Sequence, residues 1–136
     1  MERGYSLLEM LVVLAILGLI AVVAVPPISA SIDNMRLADD TRVLAGALRE
    51  VREQALDEQR DLALTIAGAN AIEGAGRRWT LSDDAAITFV AGEGGPKVFA
   101  FHADGTANGG AFRIARGKGK ADVRVDGITG AVEIAK

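Results

Sequence analysis

The chain has 136 residues and a net charge of −3, which leaves room for one small domain beside its N-terminal segment and gives no global reason to expect nucleic acid or an anionic membrane surface as a partner. It contains no cysteine and a single histidine, so a disulfide framework, Cys–His catalysis and His-rich metal sites are excluded. Hydrophobic residues make up 50% of the chain but aromatic ones only 4%, and the soluble part, from about residue 33 onward, suffices for one modest core and not for two.

The N-terminus reads MERGYSLLE and passes at once into the uncharged apolar run Met10–Val25. From Tyr5 to Ile28 the only charge is Glu9. As a helix at about 1.5 Å per residue this stretch is roughly 36 Å long, enough to cross a hydrocarbon core of about 30 Å. An acid placed there costs roughly 2.5–3.5 kcal/mol on insertion scales, which makes Glu9 a functional candidate. Arg3 ahead of the run favours a cytoplasmic N-terminus, with everything after Ile32 across the membrane. Two other readings fit the same residues: a secretory signal peptide cut after Ala30, and a plain single-pass anchor in which Glu9 is incidental. The weak n-region, the length of the run and Pro26-Pro27 beside the proposed cut speak against the signal peptide.

Arg3-Gly4, an aromatic residue, a hydroxyl residue, two leucines and Glu9 together resemble the class III signal of type IV pilins and type II secretion pseudopilins. The resemblance implies cleavage by a prepilin peptidase between Gly4 and Tyr5, with N-methylation of Tyr5. The mature chain of that family usually starts with Phe, so Tyr5 is a departure. The resulting organisation is a leader over residues 1–4, a transmembrane or filament-core helix over 5–28, an amphipathic helix over 29–60 and a β region over 61–136 that forms one globular domain with residues 33–60.

Pro26 and Pro27 remove two ladder bonds, to the carbonyls of Val22 and Val23, and predict either a kink or the end of the helix. The resemblance implies that the helix continues past Pro26. Beyond Ser31 the pattern becomes amphipathic: Leu37, Leu44 and Val51 recur every seventh residue, with Thr41, Leu48 and Ala55 as the companion row. This stripe is expected to pack on a sheet. The charges around it, among them Asp33, Asp39, Asp40, Arg49, Arg52 and Glu53, read as a solvated face, with Arg49–Glu53 an i,i+4 pair. Gly46 lowers helix propensity there by up to about 1 kcal/mol relative to Ala.

From Asp61 the period changes to two. Leu62–Ile66, Trp79–Leu81, Ile87–Val90, Val98–Phe101, Phe112–Ala115, Val123–Val125 and Val132–Ile134 read as strands, and Gly68–Gly76 as a loop. Residues 102–110 are expected to turn directly from Val98–Phe101 into Phe112–Ala115, Asp126–Gly130 to close a second hairpin, and Gly92–Gly95 to form a hairpin tip. The fold class expected is α+β, one long N-terminal helix against an antiparallel sheet of about five to seven strands. Leu48–Leu56 at the helix end, the isolated Trp79, Phe101–Thr106 and Asp126–Gly130 resemble the GspH/FimT group of minor pseudopilins.

Little else carries chemistry. His102, Asp104 and Ser82 or Ser6 could be written as a triad, but nothing in their spacing supports one, and His102 reads as a strand-end residue. Asp104–Gly110 supplies too few oxygens for calcium, and no metal or cofactor is expected. Arg113, Arg116, Lys118, Lys120 and Arg124 form a local basic patch without interleaved aromatics, either a solvated hairpin or a DNA-binding surface. The resemblance therefore implies a non-enzymatic filament subunit. Its partners would be major and minor pseudopilins, the peptidase/methyltransferase, inner-membrane lipid and an inner-membrane assembly platform. It would be anchored by one span in a bacterial inner membrane, its domain periplasmic. The alternative is a FimT-like minor pilin of a type IV pilus, acting in pilus assembly or DNA uptake, with the basic patch as the contact.

Overall fold

The computed structural model describes residues 6–92 and 98–135, the side chains of 25–28 excepted. It holds one helix, α1 (Leu7–Glu58), followed by eight strands: β1 (Leu62–Ile66), β2 (Ala71–Gly74), β3 (Arg77–Thr80), β4 (Ala86–Ala91), β5 (Phe99–Phe101), β6 (Gly110–Arg116), β7 (Gly119–Val125) and β8 (Val132–Ala135). The chain divides after Ile32 into two compact units.

In the first unit α1 is apolar on every face, and the side chains of residues 6–24 are all exposed. By length and composition it qualifies to cross a membrane. Backbone helix runs through positions 26 and 27. The helix therefore does not end at the prolines, whose side chains lie outside the described ones.

The second unit is α+β. Its strands form two antiparallel sheets of four, in the orders β3-β2-β1-β5 and β4-β6-β7-β8, where one sheet was expected. The expected stripe is buried in full: Leu44, Leu48, Val51 and Ala55 are completely covered, and Leu37 and Thr41 nearly so. The apolar side chains of the stripe join one core with residues of both sheets. All four phenylalanines meet there, Phe99 and Phe101 from the first sheet and Phe89 and Phe112 from the second, with ring centroids 5.0–5.6 Å apart. Edge-to-face contacts of this kind add to the area they bury, so few aromatics suffice to bind the sheets.

The segment expected as a loop over 68–76 contains β2, which pairs with both β1 and β3. Its hairpin to β3 turns on Ala75 and Gly76, both at positive φ (55° and 76°). A two-residue turn of this hand normally advertises itself through Asn or Gly at its first position, and alanine there hid it. The 102–110 segment is not a hairpin either. β5 pairs with β1, whereas β6 pairs with β4 and β7, so this segment crosses from one sheet to the other. Gly92–Gly95 lies mostly outside the described residues, but the strands it separates, β4 and β5, belong to different sheets. The Asp126–Gly130 hairpin between β7 and β8 is present as expected.

The charged face of α1 is only partly solvated. Asp40 is buried, with its Oδ1 accepting from the backbone N–H and hydroxyl of Ser82 at 2.9 and 3.0 Å. Arg49 donates to the Val132 carbonyl (3.1 Å) in place of the expected pairing with Glu53. Glu50 is paired with Arg77, whose guanidinium also stands 5.4 Å over the Trp79 ring.

Candidate functional site

Glu9 sits in the first turn of α1. Ser6 precedes the helix, and its Oγ accepts from the Leu8 N–H (3.3 Å) while its carbonyl accepts from the Met10 N–H (3.1 Å). Ser6 is thus the N-cap, and Ser-Leu-Leu-Glu has the spacing of a capping box with the acid at its third helical position. A carboxylate at this end also opposes the positive pole of the helix. Around it Leu7, Leu8 and Leu11 are exposed by 87%, 75% and 67%, so the acid stands in an otherwise apolar surface. Gly4 and Tyr5, the expected cleavage and methylation positions, lie outside the described residues.

The basic patch comes apart. Arg113, Lys120 and Arg124 do share one face of the β6–β7 pair and line a shallow depression there. Within it, however, Asp122 takes both Arg113 Nε and Nη2, at 2.8 and 2.9 Å. Glu133 stands directly across from Arg124. Lys118 is exposed in the β6–β7 turn. Arg116 points the other way, into the protein, and is 3% exposed. Three carboxylates surround it: Asp84 at 3.2 Å, Asp33 at 3.6 Å and Asp40 at 3.9 Å. The alternation of β6 contained this signal, since Phe112, Ile114 and Arg116 fall on one face and the first two are buried.

Residues near the end of α1 hold two loops together. Arg52 donates from Nε to the Gly105 carbonyl (3.1 Å) and from Nη2 to the Thr129 carbonyl (2.9 Å). Gly130, at φ 67°, lies so close to the Gly105 carbonyl that a Cβ there would overlap it and come within 2.7 Å of Arg52 Nε. Asp126 Oδ1 accepts from the Ile128 and Thr129 N–H groups and the Thr129 hydroxyl, and these bonds hold its carboxyl below the usual range. Asp104 caps Thr106 in the same way. Ile128, 84% exposed, projects from this braced turn.

No triad is assembled among these residues. The hydroxyl of Ser82 belongs to Asp40, and the His102 ring lies between Asp61 and Asn108, 3.0 Å from an oxygen of each. No group of three or more His, Cys, Asp or Glu residues able to hold a metal ion occurs among the described residues. The roles of Asp40, Arg49 and Arg52 were not readable from the helix pattern alone.

Residues 1–25 match the prokaryotic N-terminal methylation motif. A stretch of 54 residues is 44% identical to the type II secretion system protein H of Xanthomonas campestris pv. campestris, covering 40% of this chain and 32% of that protein. The match thus spans about a third of the curated relative's length. Among solved structures, the fold is similar to the type IV minor pilin FimU of Pseudomonas aeruginosa, with a TM-score of 0.60 at 16% identity over 76% of this chain and 90% of that one. It is equally similar to the minor pseudopilin EpsH of the Vibrio cholerae type 2 secretion system, with a TM-score of 0.59 at 14% identity over 74% and 96%. The architecture is therefore the pilin-like α+β fold, a long N-terminal helix with antiparallel sheets.

Proposed function

We propose that this chain, pilin-like in fold and headed by an N-terminal methylation motif, is a structural minor pseudopilin of a type II secretion system. The carrying observation is Glu9, an acid in the first turn of an exposed apolar helix, inside the segment that matches the methylation motif. Likeness to protein H over 54 residues and the shared fold with EpsH support the same reading. In it the leader is cut between Gly4 and Tyr5, Tyr5 is methylated, and the span leaves the inner membrane to join major and minor pseudopilins at the pseudopilus tip. The domain then works on the periplasmic side, and the peptidase and assembly platform act on the chain in turn. Its role is assembly, not catalysis.

Glu9 supplies the register. A carboxylate and an N-terminal ammonium are each costly in hydrocarbon, and pairing between neighbouring subunits offsets much of that cost only at one axial offset. Any bend at Pro26 and Pro27 would let the span adjust between membrane and filament. Glu9→Ala is expected to abolish incorporation and secretion while leaving the domain folded by circular dichroism. A Glu9→Ala chain that assembles and secretes normally would overturn this account.

The fold likeness to FimU supports a second reading, a minor pilin of a type IV pilus. Its DNA-capture version is weakened by the pairing of Arg113 and the burial of Arg116. Deleting the gene and scoring secretion against piliation separates the two machines. A salt-sensitive DNA shift by the chain, lost on Lys120→Ala/Arg124→Ala, would restore DNA capture.

A further inference from the structure

His102 has an unusual hydrogen-bond account. Asn108 Nδ2 donates to the Val98 carbonyl at 2.9 Å, and a carbonyl can only accept, so Asn108 Oδ1 is the atom that faces the imidazole Nε2 at 3.0 Å. Asp61 accepts from the Ala103 N–H on Oδ1 (3.0 Å) and turns Oδ2 to the imidazole Nδ1, also at 3.0 Å. Both ring nitrogens therefore face acceptors, an arrangement only the doubly protonated imidazolium satisfies. A neutral ring has one N–H and leaves a lone pair against an oxygen. Turning the Asn108 amide over would cure that contact and set its oxygen against the Val98 carbonyl. Loss of the proton costs a bond by either route.

We propose that Asp61, His102 and Asn108 form a proton-operated clamp, which ties the crossover between the two sheets to the α1–β1 connection while the ring is charged and loosens it when the proton leaves. Asp61 belongs to that connection, just beyond the end of α1, and Asn108 to the far end of the crossover. The crossover from His102 to Asn108 carries bonds that matter elsewhere. Its Gly105 carbonyl receives Arg52, its Ala107 N–H reaches the Gly127 carbonyl (3.1 Å), and its Asn108 N–H covers the outer edge of β5 at Ala100 (3.2 Å). Among the described residues, the charged groups bearing on the ring are Asp61 and, from the crossover itself, Asp104, both acidic. Arg60, next in sequence to Asp61, is turned to Glu58. The hydrogen bond to Asp61, above all, raises the His102 pKa from its ordinary 6.5, against a desolvation that lowers it. The clamp is a property of the folded domain, independent of whether the chain serves a secretion system or a pilus.

Because the chain has one histidine, imidazole ¹⁵N NMR of the full chain in detergent micelles reads this ring alone. The expected result is a titration midpoint above 6.5, with the amide signals of Ala103, Thr106 and Asn108 moving, and their hydrogen exchange accelerating beyond the base-catalysed trend, at the same midpoint. Asp61→Asn keeps an oxygen and removes the charge, and should carry both midpoints to lower pH together. Should Asp61→Asn fail to fold, Asn108→Ala, which removes the other acceptor, gives the same downward shift. A midpoint at or below 6.5, or amides of residues 103–108 that ignore the titration, overturns the clamp.

Discussion

Replacing Arg116 by methionine probes the least expected residue of the fold. The Arg116 side chain is 2% exposed and that of Asp40 6%, with Nη1 and Oδ2 3.9 Å apart. At an effective dielectric of about 20 that separation corresponds to roughly 4 kcal/mol of attraction. Asp33 and Asp84, exposed by 53% and 76%, are screened by water and add about 0–1 kcal/mol each. Arg116→Met removes the partner and leaves Asp40 buried with its Ser82 bonds but no countercharge, a change that costs about 3–5 kcal/mol at comparable sites. For a domain of this size the melting temperature should fall by more than about 10 °C. Urea and thermal unfolding of the full chain in micelles, followed by the fluorescence of its single tryptophan, Trp79, measure this directly. Adding Asp40→Asn to Arg116→Met should restore much of the loss, because the amide keeps an oxygen for Ser82 and carries no charge. A loss below about 1 kcal/mol, or a second substitution that deepens it, would refute the idea that Asp40 depends on Arg116 for compensation.

Gly130→Ala should destabilise by about 2 kcal/mol or more, through the positive φ and the overlap with the Gly105 carbonyl, and should release the Arg52 bonds as seen in the Arg52 Nε–H NMR signal. Gly46→Ala should do the opposite: its Cβ would enter open space, so unfolding should shift toward greater stability by up to about 1 kcal/mol. If that stabilised variant also fails to enter filaments, Gly46 serves contact with a neighbouring chain. Stability should fall on both sides of a window between about pH 3.8 and 6.5. The contribution of His102, whose pKa is raised in the folded state, is complete below 6.5 and is lost as pH climbs through the raised value. Those of Asp61, Asp104, Asp122 and Asp126, whose pKa values are lowered, are complete above 3.8 and are lost as pH falls through the lowered values. Urea midpoints across pH 3–9 test both limbs, and Asp61→Ala should flatten the alkaline one.

Seven of the eight strands, the buried stripe of α1 and the Asp126–Gly130 turn were legible because each is encoded locally, in period or in turn chemistry. The division into two sheets was not, since β5 has nothing in its three residues to say whether Leu62–Leu64 or Phe112–Ala115 will be its neighbour. β2 escaped because Ala75 takes a conformation usually left to Asn or Gly. The geometry of the basic patch was not legible for a related reason. Counting Arg and Lys along residues 113–124 ignores that alternate residues of a strand face opposite ways, which sent Arg116 inward, and that Asp122 was placed opposite Arg113. For Glu9 a charge inside an apolar run is conspicuous without any knowledge of the fold, so this candidate came from the sequence directly.

The order in which the core is assembled has a cost in time. The ribosome delivers Leu44, Leu48 and Val51 before any of the strands that cover them. β1 cannot acquire its second neighbour until residue 101 has been made, and Arg49 finds its acceptor only at Val132. Such distant pairings are slow to form, because a long stretch of chain must be confined before the contacts repay it. Until then the helix offers a greasy strip to whatever is nearby, so for this molecule the hazardous interval is the wait between translation of the helix and closure of the last hairpin.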